Sequence, residues 1–212
     1  MKIVSLITAR GGSTEIPMKN IIDIKGKPLI SYSIKASQAS DVAETWVSTD
    51  SVEIADVSEK YGAKVLMRPS HLADNIIMPD PALLHFSENQ IFDILVFIQP
   101  TSPFIKPKYI NYGLKKMYEN KYDAMVSVTK EHWLPRWNEE VKPIDWDVNN
   151  RPRRQDMPAT YAENGMFYIT TCEMLRKTGL RYGGNIGFVK IPLRDSFQID
   201  SKEDLDLIRD LF

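Results

Sequence analysis

Apolar residues along the chain fall into short continuous runs, with stretches of helical period between them. Ile3, Val4, Leu6 and Ile7 make the first run, of strand length and without polar alternation, as expected for a central strand covered on both faces. Residues 28–40 then place Leu29, Ile30, Ile34 and Ala36 on one side, and Pro28 suits a first helical turn. A β-branched and aromatic stretch, 44–50, predicts a second strand, and Val52, Ile54, Ala55 and Val57 predict a helix over 51–61. Gly62 ends that helix, and residues 63–67 form a third strand. Three strand–helix alternations in succession predict an α/β layered fold with a parallel sheet and right-handed crossovers.

Further on, residues 93–98 read as another fully apolar strand, 106–120 as a helix and 122–129 as a strand with Ala124, Val126 and Val128 alternating. From 130 to 158 no period is sustained, prolines are scattered, and Trp133, Trp137 and Trp146 fall within the stretch. An irregular segment that long inside a domain is usually functional or an interface. An aromatic strand follows over 162–169. The chain closes on an amphipathic helix from residue 202, with Leu205, Leu207, Ile208 and Leu211 inward and Ser201 with Asp204 as its capping pair.

The length of 212 residues suits one domain with a small appended segment at about 130–160. A formal charge of −1 and an isoelectric point near 6.3 argue against a nucleic-acid or anionic-membrane surface as the main partner, so local basic clusters are read as sites. Cys172 alone permits no intramolecular disulfide and no cysteine-rich zinc site, and fits a reducing compartment. With no apolar run of membrane-spanning length and no basic leader, the expectation is a soluble cytoplasmic protein, or a nuclear one if from an animal.

Candidate chemistry begins where the first strand ends. Residues 8–20 form a loop in which Gly11 and Gly12 let backbone N–H groups approach an anion, with Arg10 and Lys19 adding positive charge at either end. An ordinary strand-to-helix turn with a solvated Arg and Lys is the competing reading, since this is neither the P-loop nor the dinucleotide fingerprint. Parallel sheets bind ligands beyond the carboxyl ends of their strands, so Gln99-Pro100-Thr101-Ser102-Pro103 should face the same crevice. Arg151-Pro152-Arg153-Arg154-Gln155 is the densest basic cluster, either a solvated loop or a site for carboxylate or phosphate. Phe167 and Tyr168 read at least as readily as core and rim as they do as ligand contacts. His71, His85 and His132 have no ligand spacing.

Six stretches in order resemble one family, the acylneuraminate cytidylyltransferases, or CMP-sialic acid synthetases. They are Ala9-Arg10-Gly11-Gly12-Ser13 with Pro17 and Lys19-Asn20; Val47-Ser48-Thr49-Asp50; residues 99–103; residues 151–155; Glu163-Asn164-Gly165 with Phe167-Tyr168; and Ile199-Asp200. The likeness runs from Ile3 to Leu211, and the Arg-rich and Glu-Asn-Gly stretches look closest to the animal-type enzymes. The resemblance implies a Rossmann-like nucleotidyltransferase fold whose mostly parallel central sheet is flanked by helices, with a small dimerisation extension. It implies an enzyme that joins CTP to an acidic nine-carbon sugar, a sialic acid, and releases pyrophosphate. A related acidic sugar (legionaminic, pseudaminic or deoxy-octulosonic acid) is one alternative, and a non-catalytic nucleotide-binding relative is another.

By the same resemblance Arg10, Lys19 and Asp200 carry catalysis, and Ala9, Arg10, Gly11, Gly12, Ser13, Asn20, Arg68, Gln99 and Thr101 bind nucleotide. Gln99, Arg153, Arg154, Gln155, Tyr161, Asn164 and Phe167 bind sugar, the arginine stretch probing across a homodimer. Asp200 holds Mg²⁺, a hard cation suited to carboxylate and phosphate oxygens. The chain departs from the family pattern at Thr14-Glu15, where relatives carry Lys-Gly, and at Gln198, where they carry a metal-binding Asp. These departures are consistent with weakened turnover, with loss of activity, or with a rearranged metal site to which Asp195 or Asp50 contributes, Asp50 reading more readily as a turn residue. A serine that relatives carry after the Arg68 segment has no counterpart in residues 75–80.

Overall fold

The computed structural model of the protein describes residues 1–74 and 76–212, so Asn75, in the stretch lacking the family's serine, lies outside the described residues. The first third of the chain contains β1 (Ile3–Thr8), a hairpin of β2 (Asp23–Ile24) and β3 (Lys27–Pro28), α1 (Ile30–Gln38), β4 (Glu44–Thr49), α2 (Val52–Lys60) and β5 (Lys64–Met67). The middle contains α3 (Asp80–Asn89), β6 (Ile94–Ile98), α4 (Pro107–Asn120) and β7 (Ala124–Glu131). Short β8 (Arg136–Trp137) and β9 (Pro143–Ile144) precede β10 (Thr160–Thr171), α5 (Cys172–Thr178), β11 (Ile186–Lys190) and α6 (Lys202–Leu211).

Seven strands make one sheet in the order β11-β7-β10-β6-β1-β4-β5. Every neighbouring pair is parallel except those of β10, which runs against both β6 and β7. The expected mostly parallel, helix-flanked α/β sheet is therefore present. From β1 the chain moves outward to β4 and β5, then returns to lay β6 on the other side of β1. The strand order reverses there, and the loops leaving β1 and β6 diverge to leave a crevice at their carboxyl ends.

Burial on both faces explains the unbroken apolar runs. Val4 and Leu6 point to one face, with Leu83 and Phe86 of α3 and Leu175 of α5. Ile7 points to the other, with Ile30 and Ile34 of α1, Ile54 of α2 and Ile110 and Leu114 of α4. A third cluster joins Leu205 and Ile208 of α6 to Ile16, Ile24, Leu29 and Ile199, which seats the last helix beside the loop after β1. The Ser201–Asp204 pair forms a complete capping box, as expected.

Pro28 is a correction. It pairs with Asp23 in the β2–β3 hairpin rather than starting α1, because Gly26 takes φ +78° and turns the chain back before the helix begins. Between β7 and β10 the irregular segment contributes the β8–β9 pair and a single 3-10 turn at Arg154–Asp156, and no residue from 130 to 160 is buried. Trp137 packs edge-on against Trp146 at 5.0 Å, and Arg151 lies over the Trp146 ring. Among the described residues no helix is long and apolar enough to cross a membrane.

Candidate active site

The crevice at the carboxyl ends of β1 and β6 is a cavity of about 430 Å³. Arg10, Ser13, Thr14, Glu15, Lys19 and Asn20 line it from the loop after β1, Arg68, Leu72, Ala73, Asp74, Ile77, Met78 and Pro79 from the segment after β5, Gln99 and Thr101 from the tail of β6, and Asp200 from the start of α6. Six of the nine residues expected to hold nucleotide thus come together from three separate parts of the chain, and Asp200 joins them from a fourth.

The loop after β1 is held by hydrogen bonds to distant segments. Ala9 is buried, and its N–H donates to Ser48 O at 2.9 Å. The Gly11 N–H donates to Asp50 Oδ1 at 3.0 Å, so this donor serves the fold. A Cβ on Gly11 would come within 3.1 Å of Ser51 Cβ, which ties the need for glycine here to the close approach of the β4–α2 turn. At Gly12 a Cβ would meet open space. Asn20 is buried and uses its amide to brace the Arg10 carbonyl at 2.9 Å. Arg10 itself reaches the backbone oxygen of Asp74 at 2.9 Å, joining the loop to the opposite wall.

Arg68 is 8% exposed, and its Nε has no hydrogen-bond partner among the described residues. Burial lowers its pKa, with Asp50 opposing and Arg10 reinforcing that effect. Thr101 Oγ1, in the same crevice, is likewise buried and unpartnered. An arginine and a hydroxyl with unspent hydrogen-bonding capacity in one cleft are positioned for a polar ligand. Arg10, Lys19 and Arg68 are balanced by Glu15, Asp74 and Asp200, so the lining is formally neutral. Glu15 is the residue that offsets the third cation.

Asp200 is exposed along the cleft and pairs with Lys19 Nζ at 3.0 Å. The N–H groups of Ser201 and Asp200 donate to Asp204, which fixes the backbone behind this carboxylate and, through Ser201 first, holds the Asp204 carboxyl below its usual range. Asp50 and Asp195 do not fill the place of a second metal carboxylate. Asp50 is turned to Gly11, while Asp195 is buried against Tyr109 and against Lys106 at 2.7 Å, and neither lines the cleft. Among the described residues no group of three or more His, Cys, Asp or Glu gathers to hold a metal. One exposed carboxylate in a polar cleft does fit Mg²⁺, which binds through one or two carboxylates plus substrate phosphates and keeps several waters.

The residues expected to bind sugar divide into two groups. Gln99 lines the cleft, and Asn164 lies close by in the β10 bulge, its amide donating to Thr129 Oγ1 at 2.9 Å. Arg153, Arg154 and Gln155 lie instead on the segment between β7 and β10, lining two surface cavities with Trp133. Arg153 makes a two-pronged pair with Asp156 at 2.7 and 3.0 Å. Tyr161 sits at the foot of that segment, bonded to Lys190 Nζ at 2.6 Å, a contact that lowers the tyrosine's pKa. Phe167 is a correction: it is fully buried among Ile98, Met125 and Ile169 and presents nothing to a ligand.

Residues 4–211 match the family model described as cytidylyltransferase. The chain belongs to the cytidylyltransferase family. It is 36% identical over 210 residues to N-acylneuraminate cytidylyltransferase B of Danio rerio, covering 95% of this chain and 49% of that one. It is 30% identical over 225 residues to the pseudaminic acid cytidylyltransferase of Campylobacter jejuni, covering 100% and 97%. The chain thus spans about half the length of the fish relative and nearly all of the bacterial one. Its fold is that of CMP:2-keto-3-deoxy-manno-octonic acid synthetase, solved in complex with CTP, with a TM-score of 0.79, 19% identity and 100% and 98% of the two chains covered.

Two features of this site have no motif in the sequence reading. The wall formed by Leu72, Ala73, Asp74, Ile77, Met78 and Pro79 is one. Behind it Arg181, 7% exposed, pairs with Asp80 at the start of α3 and lies against the stacked Phe97 and Tyr168 rings. The prolines at 79 and 81 are the helix-start signal that would have located this wall.

Proposed function

We propose that this chain joins CTP to an acidic 2-keto sugar of the sialic acid class and releases pyrophosphate. The observation that carries this reading is the convergence of Arg10, Lys19 and Arg68 with Asp200 on one cleft at the strand-order reversal. The anomeric hydroxyl of the sugar attacks the α-phosphorus, the new O–P bond forms as the bond to the β-phosphate oxygen breaks, and the hydroxyl proton is released. No side chain becomes covalently attached. Arg10 and Lys19 bind and orient the triphosphate and neutralise charge as it builds, while Arg68, Gln99 and Thr101 fix nucleoside and sugar. Asp200 is the carboxylate for Mg²⁺, which supplies further neutralisation of the phosphates when bound.

In this reading Arg153, Arg154 and Gln155 serve the sugar carboxylate in the cleft of a second copy of the chain, since their own segment carries them away from the cleft beside them. Tyr161 supports that segment. The named relatives act on N-acylneuraminate and pseudaminic acid, so the sugar is best assigned by competition. Pyrophosphate release is to be measured with each nucleoside triphosphate paired with sialic, legionaminic, pseudaminic and deoxy-octulosonic acids, with and without Mg²⁺. Release with CTP and one of these acids is expected. A folded sample silent across the panel would overturn the enzymatic reading in favour of a non-catalytic nucleotide binder, the outcome that Glu15 in the cleft would explain.

A further inference from the structure

Three parts of the cleft meet at one side chain to which the reaction above gives no role. The Gln198 amide nitrogen donates to Ser102 Oγ, 3.2 Å away, and to the backbone oxygen of Asn164. Ser102 is fully buried in the tail of β6, and Asn164 stands in the β10 bulge. The next residue, Ile199, is also fully buried, and its N–H donates to Thr101 O at 2.9 Å. One residue further, Asp200 receives Lys19. Gln198 and Ile199 together therefore tie the segment ending in Asp200 to both neighbouring motifs.

Gly165 leaves the space this amide occupies. Its φ is +66°, and a Cβ there would lie 2.5 Å from Gln198 Nε2 and 3.1 Å from Gln99 Oε1. The polarity of the contacts also selects an amide. A backbone carbonyl only accepts, so the group facing Asn164 O must donate, and a carboxylate at 198 would set acceptor against acceptor.

We propose that Gln198 is a positioning residue, a neutral strut that fixes the Asn164–Gly165 turn and the Asp200 backbone against the tail of β6, and that it is not a ligand of the cation. Its role rests on the reading of Asp200 as the cation's carboxylate. The test uses the full chain, with Mn²⁺ as the probe, followed by electron paramagnetic resonance in the presence of a non-hydrolysable α,β-methylene analogue of CTP. Asp200→Asn weakens Mn²⁺ binding at least tenfold, while Gln198→Asp leaves it within threefold or weakens it. A tenfold tightening in Gln198→Asp would place side chain 198 on the cation and overturn the strut. If Asp200→Asn changes nothing, the failure belongs to the cation assignment instead.

A thermal-melting cycle reads the strut without any cation. Gly165→Ala lowers the melting midpoint less in a Gln198→Ala background than in the parent, because the amide it collides with is gone. Strictly additive shifts would overturn the proposal. Where a sugar is turned over, Gln198→Ala lowers kcat at least tenfold with CTP affinity within threefold, and an unchanged kcat would count against it.

Discussion

In the cleft, hydrogen-bond partners stand far apart along the chain; in the segment between β7 and β10 they are close neighbours. Lys19 meets Asp200, Arg10 meets Asp74 and Arg181 meets Asp80. Arg153 meets Asp156, Arg136 meets Glu131 and Asn138 meets Lys142. The cleft is a product of the sheet, and its residues acquire chemistry only where strand ends bring them together. The segment carries its basic cluster on local turns with nothing buried, so its geometry depends on the two strands it leaves and on whatever covers it.

Changes at these long-range and local ties sharpen that contrast, beginning with the largest effect. Asp80→Asn removes one partner of a buried pair and should cost about 3–5 kcal/mol of stability, read from denaturant unfolding. Burial opposes ionisation of Asp80, but Arg181 outweighs it and holds the carboxyl below its ordinary value. A depressed acid stabilises the fold above the unfolded pKa of about 3.9 and loses that contribution as pH falls through the lower folded value. The acid limb of stability should therefore flatten in Asp80→Asn, and an unchanged limb would point to other carboxylates.

Arg10→Ala should lower kcat/KM by an amount equivalent to about 2–4 kcal/mol, as for the loss of one donor to a developing charge. A rate within a few-fold of the parent would remove Arg10 from the reaction. Thr14→Lys with Glu15→Gly replaces a neutral lining by a cationic one. It should tighten CTP binding by about tenfold in calorimetry, roughly 1.4 kcal/mol, whereas weaker binding would show that Glu15 does not face the phosphates. Smallest of all, Asp156→Ala breaks only an exposed pair and should cost less than about 1 kcal/mol. A much larger loss on unfolding would mean that the segment is tied down as firmly as the cleft, which would erase the contrast.

The alternation of strands and helices was legible because burial on both faces writes itself as apolar runs, and the cleft was legible because parallel strands open their ligand sites at one end. Side-chain direction was harder to read. Phe167 falls within the β10 irregularity between Glu163 and Tyr168, where the register against β7 shifts, so its face cannot be counted from the alternation before it. Asp50 and Asp195 are the carboxylates that a rearranged metal site would draw on, yet one is used by the Gly11 N–H and the other by Tyr109 and Lys106. Gly11 suggested an anion cradle, whereas its missing Cβ accommodates Ser51. Such assignments depend on which distant partner arrives, and no local pattern records that.

The Lys19–Asp200 contact spans 181 positions, so the cleft gains this pair only after almost the whole chain has been synthesised. Joining such distant segments carries a loop-closure cost before any contact repays it. During synthesis β1, β4 and β5 can pair long before residues 198–208 leave the ribosome, so one half of the sheet can form before the pocket is complete. A nascent chain halted ahead of Gln198 should already resist proteolysis in β1, β4 and β5, while Lys19 still lacks its acidic counterpart and the cleft lacks the wall that carries Asp200.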